Sequence, residues 1–239
     1  MEIHFSIDDV IFSLQELTIK TYKSIFSHPF YSILWRLHKK YGCVFSLYVF
    51  AQKNGFAIEE MTCRYREEFL ANSDWLCFGY HAESAEITSD LFHQYNRVNK
   101  AIEQFAGQSR PCKTLRLHGY YATQEEIRIL ATNGVKCLLC ADDNRVSYNL
   151  PFEVDGELNH FGYVYNDGLF YRQSDIRLEN HTALSFLNFK WEEKSLVVFT
   201  HEWCFYSFRK PLTNLKANLL LKSLTKETPQ YVFNLSEVQ

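Results

Sequence analysis

Short runs rich in β-branched and aromatic residues alternate with longer, helix-patterned runs along most of this chain. The predicted strands lie at 4–7, 43–50, 75–82, 114–121, 135–143 and 195–203. Between them lie amphipathic segments with helix signals, such as the run from Pro29 that stops at Gly42 and the run that Thr123 and Glu126 open as a capping box. Alternating strands and helices predict a parallel sheet with right-handed crossovers. About seven such units favour an α/β fold of the distorted (β/α) barrel type, with about seven parallel strands, over an open sheet.

The pattern changes between about residues 144 and 180, where an alternating run contains Asn166-Asp167-Gly168. This tripeptide between two strand-like runs is a strong hairpin signal, so we predict a β-hairpin insertion followed by a short sixth strand near 175–178. Further helices are predicted at 58–71, 88–106, 180–190 and in LTNLKANLLLKSL near the end. The 239 residues, 46% of them hydrophobic, can bury one barrel-sized core, and no Pro/Gly-rich linker divides them. Residues 1–239 are therefore predicted to form a single domain.

The charge balance gives no sign of a nucleic-acid partner, because 25 basic residues stand against 28 acidic ones and no run of like charge occurs. No apolar stretch approaches the ~18 residues of a membrane span, and the first residues lack a signal-peptide pattern. Seven cysteines, mostly inside apolar runs, indicate a reducing compartment, so we expect a cytoplasmic protein. The two cysteines of CLLC at 137–140 point to opposite faces of a strand, which disfavours a thiolate zinc site. The oligomeric state stays open.

Polar side chains end most of the predicted strands, where they are hard to explain as core residues. They are Asp8 and Asp9, His81, His118, Asp142 and Asp143, and His201 with Glu202. In a (β/α) barrel the carboxyl ends of the strands face one common mouth, where such folds assemble their sites. Carboxylates and imidazoles gathered there suit zinc or a similar divalent ion, which lowers the pKa of bound water towards ~7. His201 could then protonate a leaving group.

Three of these strand ends resemble the motifs of a known family. FSIDDV resembles the T-F-D-D-G motif of the polysaccharide deacetylases, which are the NodB-like carbohydrate esterases of family 4. FGYHAES resembles their H-[ST]-x-x-H segment, and VVFTHEW resembles their late L-x-H motif. The resemblance implies a distorted barrel and the metal-dependent removal of acetyl groups from amino sugars. By position it makes Asp8 the general base and His201 the general acid, and it makes Asp9 and His81 metal ligands.

Two departures from the family pattern affect the predicted metal site. The second metal histidine of the family falls on Ala85, and RLHGYY does not reproduce the R-x-P-[FY] segment. We therefore predict that His118, at the mouth of the next strand, provides the missing imidazole, with Glu83 as the second choice. The expected function is a metal-dependent hydrolase, with zinc as the preferred ion, that removes an acyl group from an N-acylated sugar or similar amide. The alternative is a non-catalytic carbohydrate-binding or interaction module on a degenerate deacetylase barrel.

Four more residues near the mouth are predicted to contact a glycan or small-molecule substrate: Tyr120, Asp142, Glu202 and Trp203. Aromatic rings there could stack on a sugar while their polar ends stay hydrogen-bonded. Structural alternatives remain, because an Asp-Asp pair at a strand end is also a turn or helix-cap device, and Glu202 could form a surface salt bridge. Asp8 could also orient Asp9 or a histidine from behind. Because the first residues lack a signal-peptide pattern, we expect an intracellular glycan precursor or small amide as the substrate.

Overall fold

The computed structural model of the chain describes residues 1–83 and 90–235. Its strands are β1 (Glu2–Val10), β2 (Phe45–Phe50), β3 (Gln52–Lys53), β4 (Phe56–Ala57), β5 (Leu76–Ala82), β6 (Thr114–Leu115), β7 (Cys137–Cys140), β8 (Tyr163–Asn166), β9 (Leu169–Gln173), β10 (Ile176–Arg177), β11 (Ser195–His201) and β12 (Gln230–Tyr231). Its helices are α1 (Phe12–Ile19), α2 (Pro29–Tyr41), α3 (Arg66–Ala71), α4 (Leu91–Ala106), α5 (Gln124–Thr132), α6 (Phe152–Phe161) and α7 (Lys210–Leu224).

The larger sheet has the strand order β10-β11-β1-β2-β5, and β12 pairs with the first residues of β1. All of these pairings are parallel. β1 lies in the middle of the sheet and is buried from Ile3 to Val10. β2 is buried at every residue and carries apolar side chains on both faces, as expected of a covered parallel strand. In β1 the apolar Ile3, Phe5 and Ile7 alternate with polar residues that are also buried, His4, Ser6 and Asp8.

The smaller sheet has the order β6-β7-β9-β8, with β8 antiparallel to β9 and the other pairings parallel. Asp167 and Gly168 connect β8 to β9, and both have positive φ, 48° and 78°. A two-residue hairpin loop of type I′ requires positive φ at both positions, and Asp-Gly provides it at low cost. The structure thus confirms the hairpin insertion predicted from Asn166-Asp167-Gly168.

The two sheets meet where β9 leads into β10 through Ser174 and Asp175. Arg172 stabilises this junction, because its guanidinium donates to both carboxylate oxygens of Asp175 at 3.1 and 2.8 Å and to the Ser195 carbonyl at 3.4 Å. At the opposite edges β5 lies beside β6. The parallel strands thus follow one another in the order β6, β7, β9 with β10, β11, β1, β2 and β5. This arrangement confirms the predicted α/β fold of the distorted barrel type.

Several predicted elements differ from the structure. The run 114–121 is a strand only at Thr114–Leu115, because Gly119 and Tyr120 both adopt positive φ and turn the chain. The helices predicted at 58–71 and 180–190 are mostly short 3₁₀ turns, with α3 as the one α-helical part. α4 begins at Leu91, and the carboxylate of its N-cap residue Asp90 accepts a hydrogen bond from the His93 N–H at 3.2 Å. The predicted start of this helix, at residue 88, lies outside the described residues. Helices α1 and α6 are missing from the prediction.

Candidate metal centre and active site

The end of β1 departs from regular strand geometry at the two aspartates. The register between β1 and β2 shifts between Ile7 and Val10, so Asp8 and Asp9 lie in an irregular, bulge-like segment. Asp9 has a φ of 59°, in the left-handed region, which aspartate tolerates better than most residues. Bulges of this kind re-aim side chains next to active sites. The carboxylate of Asp9 is thereby placed beside two histidines that are distant in sequence.

Asp9, His81 and His118 bring their ligand atoms within 4.8 Å of one another. The Asp9 Oδ1 atom lies 3.3 Å from Nε2 of His81 and 3.5 Å from Nδ1 of His118. Asp9 and His81 lie at the carboxyl ends of β1 and β5, and His118 lies three residues after β6. The side chain of His81 is buried and that of Asp9 nearly so, whereas His118 is 28% exposed. The structure therefore brings together all three predicted metal ligands.

The hydrogen bonds around His81 define which of its nitrogens faces Asp9. Its Nδ1 lies 2.6 Å from the main-chain carbonyl of Arg116, to which it donates, so a neutral ring leaves the Nε2 lone pair towards the aspartate. Asp9 Oδ1 is buried and has no hydrogen-bond partner among the described residues. Two acceptors thus face each other across 3.3 Å, an arrangement that a cation between them would stabilise. The donor set, one carboxylate and two imidazoles, fits a zinc-type ion with a position left open for water or substrate.

The charge state of Asp9 also suits a ligand. Burial alone raises the pKa of its carboxyl group, but the neighbouring imidazoles of His118 and His81 outweigh burial and hold that pKa well below its usual range. Metal ligands have to be deprotonated, and an ionised Asp9 meets this requirement.

Phe50 packs against the rings of His81 and His118, with both pairs of ring centroids 5.2 Å apart. This apolar contact limits the orientations that the two imidazole rings can adopt.

Asp8, the predicted general base, is buried below the metal ligands and paired with Arg116. Nη1 of Arg116 lies 3.2 and 3.3 Å from the two Asp8 carboxylate oxygens and also donates to Ser6 Oγ at 2.6 Å. The guanidinium stacks on Phe199 at 4.0 Å from the ring centroid. In the register of β1 and β11, Asp8 lies directly opposite His201. The predicted base and the predicted acid are therefore neighbours on adjacent strands.

His201 is held by Glu179, a residue that the sequence analysis does not single out. Nδ1 of His201 makes a very short hydrogen bond with Glu179 Oε1, which also accepts from Nε of Arg177 at 3.0 Å. Burial lowers the pKa of His201, but the bond to Glu179 and the charges of Asp8, Glu179 and Asp9 outweigh it, so the net direction is upward. Glu179 follows the short strand β10, so the same strand-end rule that selects Asp9 and His81 would have found it.

The four predicted substrate contacts have different surroundings. Tyr120 is 9% exposed with a φ of 54°, and Asp142 accepts a hydrogen bond from Asn180 at 3.1 Å. Trp203 stacks on His201 at 5.3 Å, and the Arg209 guanidinium lies 4.7 Å from the Trp203 ring centroid. Trp203 thus lies beside His201, and the substrate contacts of Tyr120, Asp142 and Trp203 stay predictions.

Glu202 has a structural role in place of the predicted substrate contact. It is fully buried, and its carboxylate accepts three hydrogen bonds, at 2.8 to 2.9 Å, from the consecutive main-chain N–H groups of residues 11–13. Those groups open α1, whose own cap residue Ile11 provides no side-chain acceptor. A helix N-terminus needs acceptors for its free amides, and an anion there is favourable. Glu202 therefore caps α1 and faces away from solvent.

An open cleft runs from the metal ligands towards α4 and α5. Its lining includes His81, His118, Tyr80, Tyr121 and Glu126. Glu83, the second choice as a ligand, lines the same cleft and accepts from Nε2 of Gln94 at 3.1 Å, and it is not part of the three-residue cluster. Ala85 lies outside the described residues. Two of the three clustered residues, His81 and His118, thus border this cleft.

Comparison with known proteins supports the fold assignment, whereas the activity has to be argued from the site. No family model matches the chain, and no curated protein matches it. One similar structure is a family 4 acetyl xylan esterase from Clostridium thermocellum, solved in complex with a cobalt ion. It is 11% identical with a TM-score of 0.51, and the match covers 97% of this chain and 87% of the esterase chain. The Bc1960 peptidoglycan N-acetylglucosamine deacetylase is 10% identical with a TM-score of 0.52, at 97% and 85% coverage.

A third solved structure has the same fold and another activity. The 4-alpha-glucanotransferase from Thermococcus litoralis is 14% identical with a TM-score of 0.59, and the match covers 97% of this chain and 39% of the transferase. The chain thus has the α/β fold found in carbohydrate esterases of family 4, and that fold also occurs in a transferase. Because one fold hosts several chemistries, function has to be argued from the site. None of the helices in the described ranges combines the length and apolar composition of a membrane span.

Proposed function

We propose that this protein is a metal-dependent hydrolase that removes an acyl group from an N-acylated sugar or a similar amide. The observation behind the proposal is the cluster of Asp9, His81 and His118, in which a buried carboxylate oxygen without a hydrogen-bond partner faces an imidazole nitrogen. The shared fold with a cobalt-containing esterase and an N-acetylglucosamine deacetylase supports the same class of reaction. Zinc is the ion we propose, because two imidazoles and one carboxylate are a donor set of catalytic zinc sites.

Each polar residue of the mouth has a chemical task in this proposal. When bound, a divalent ion would lower the pKa of a water molecule and polarise the acyl carbonyl oxygen. Asp8, which forms an ion pair with Arg116, takes the proton of the attacking water. His201 protonates the departing amine through Nε2, because its Nδ1 is bonded to Glu179. Tyr120, Asp142 and Trp203 contact the sugar.

The proposal is tested by metal content and acyl release together. Protein purified without chelator and then soaked in zinc is expected to hold about one ion per chain. The loaded protein is expected to release acetate from N-acetylglucosamine oligomers, and a chelator is expected to stop the release. Oligomer binding by a protein that holds no ion and releases no acetate would favour the non-catalytic module instead.

The pH profile of this activity should depend on Glu179. A general acid works only while protonated, and since the pKa of His201 is raised, activity should persist to higher pH than a histidine of ordinary pKa allows. Glu179→Gln removes the charge behind Nδ1, so the pKa of His201 falls and the alkaline limb of kcat/KM moves to lower pH. The measurement is kcat/KM between about pH 5 and 9. Glu192→Gln, at an exposed position, serves as the control. An alkaline limb that stays in place in Glu179→Gln would exclude His201 as the acid.

A further inference from the structure

Lys216 on α7 is a buried lysine whose ammonium group, among the described residues, donates to two main-chain carbonyls. The residue is 7% exposed, and its Nζ donates to the carbonyl oxygen of Leu178 at 3.1 Å and to that of Glu179 at 3.4 Å. Within residues 1–83 and 90–235 no carboxylate lies within ion-pair distance of this nitrogen. Burying a charged amine without a counter-ion is costly. A methionine would fill a similar volume without that cost, so the position of this charge calls for a specific explanation.

The two carbonyls belong to the 3₁₀ turn Leu178–Asn180, which directly follows β10. This turn presents the Glu179 side chain to His201. The hydrogen bond from the His181 N–H to the Leu178 carbonyl, at 3.3 Å, closes the turn. A short 3₁₀ turn is a weak support for a side chain, because its internal hydrogen-bond geometry is poor.

Lys216 compensates for this weakness from a second, longer element. α7 is a helix of 15 residues that packs on the same turn and on the 3₁₀ turn Glu202–Phe205, which follows His201. Through Nζ, the helix fixes the main chain of Glu179, and through packing it fixes the segment after the histidine. Arg177 holds the Glu179 carboxylate itself from the opposite end, with Nε 3.0 Å from Oε1.

We propose that Lys216 is a positioning residue for the general acid: it anchors the main chain of Glu179 so that its carboxylate stays on Nδ1 of His201. The proposal rests on the proposed function for its catalytic consequence, whereas its structural part can be tested without any activity. Lys216 touches no reacting atom. Its effect is transmitted through Glu179 alone.

The experiment compares Lys216→Met with Lys222→Met, a substitution at an exposed position of the same helix. The first readout is the NMR signal of the His201 Nδ1–H, assigned by its loss in His201→Gln. The signal is expected in the wild type and in Lys222→Met, and it should broaden or disappear in Lys216→Met. The second readout is acetate release, for which kcat should fall about 10- to 100-fold in Lys216→Met with KM nearly unchanged.

A combination with Glu179→Ala separates positioning from general damage. Without an acceptor at residue 179 there is nothing left to position, so adding Lys216→Met to Glu179→Ala should not lower kcat further. An equal loss in both backgrounds, or a His201 signal that persists in Lys216→Met, would overturn the proposal. If Lys216→Met does not fold, Lys216→Ala also removes the donor, and an unchanged signal in that variant would overturn the proposal equally. A wild type that releases no acetate refutes the proposed function, and the NMR arm still decides on Lys216.

Discussion

Asp9→Asn is expected to weaken zinc binding by more than about 100-fold, since even residues behind metal ligands contribute 10- to 100-fold. The substitution removes the one anionic ligand of the cluster and leaves two neutral imidazoles. Asn is the appropriate replacement because Asp9 has a φ of 59°, a conformation that Asn adopts readily and Ala does not. Loss of the metal should therefore occur in a folded protein. The measurement is zinc affinity by competition with a chelating dye, with circular dichroism as the check on folding.

Asp143→Asn is the matched control, because Asp143 also ends a predicted strand at the mouth and has the same chemistry. Its side chain is 48% exposed and pairs with Arg145 on the surface. Zinc affinity should stay unchanged in this variant. Equal affinities in the wild type and Asp9→Asn would show that the ion, if any, binds elsewhere, and the predicted centre would be wrong.

The metal ligands could be predicted from the sequence because parallel strands place their carboxyl ends together. Asp9 and His81 lie at the carboxyl ends of predicted strands, so their positions at the mouth follow from the strand pattern. His118 lies beyond the two-residue strand β6, in a turn with positive φ at Gly119 and Tyr120. Its prediction rested on the absence of a second histidine near His81, and the structure places it 3.5 Å from Asp9. The extent of the domain over residues 1–239 stays a prediction.

The residues that support the site are harder to predict, because their roles depend on which way their side chains point, and position along the chain does not show this. Arg116 lies just after β6, and nothing in the sequence shows that its side chain points inward to Asp8. Glu202 directly follows His201, yet a 3₁₀ turn begins there and directs its carboxylate to the start of α1. The sequence of α1 has no local cap, so the need for an acceptor from residue 202 is visible only in three dimensions.

Arg116→Met is expected to reduce the free energy of unfolding by about 3–5 kcal/mol, the usual cost of breaking a buried ion pair from one side. Both side chains of the pair are almost fully buried, with 1% and 2% exposed, so solvent screens the remaining Asp8 charge poorly. Methionine preserves much of the apolar contact with Phe199, which limits the loss from packing. The measurement is urea unfolding in the presence of chelator, so that metal binding does not contribute to the measured stability.

The double variant Asp8→Asn/Arg116→Met shows whether the loss comes from the unpaired charge. Removing both charges leaves no uncompensated ion, so the double variant should recover most of the stability that Arg116→Met loses. Arg110→Met, at an exposed position, should change stability by no more than about 0.5 kcal/mol. If Arg116→Met cost as little as that control, the ion pair of Asp8 with Arg116 would contribute little to the stability of the fold. If the double variant were as unstable as Arg116→Met, the loss would come from packing around Phe199 and Ser6, and the buried charge of Asp8 would have no large energetic cost.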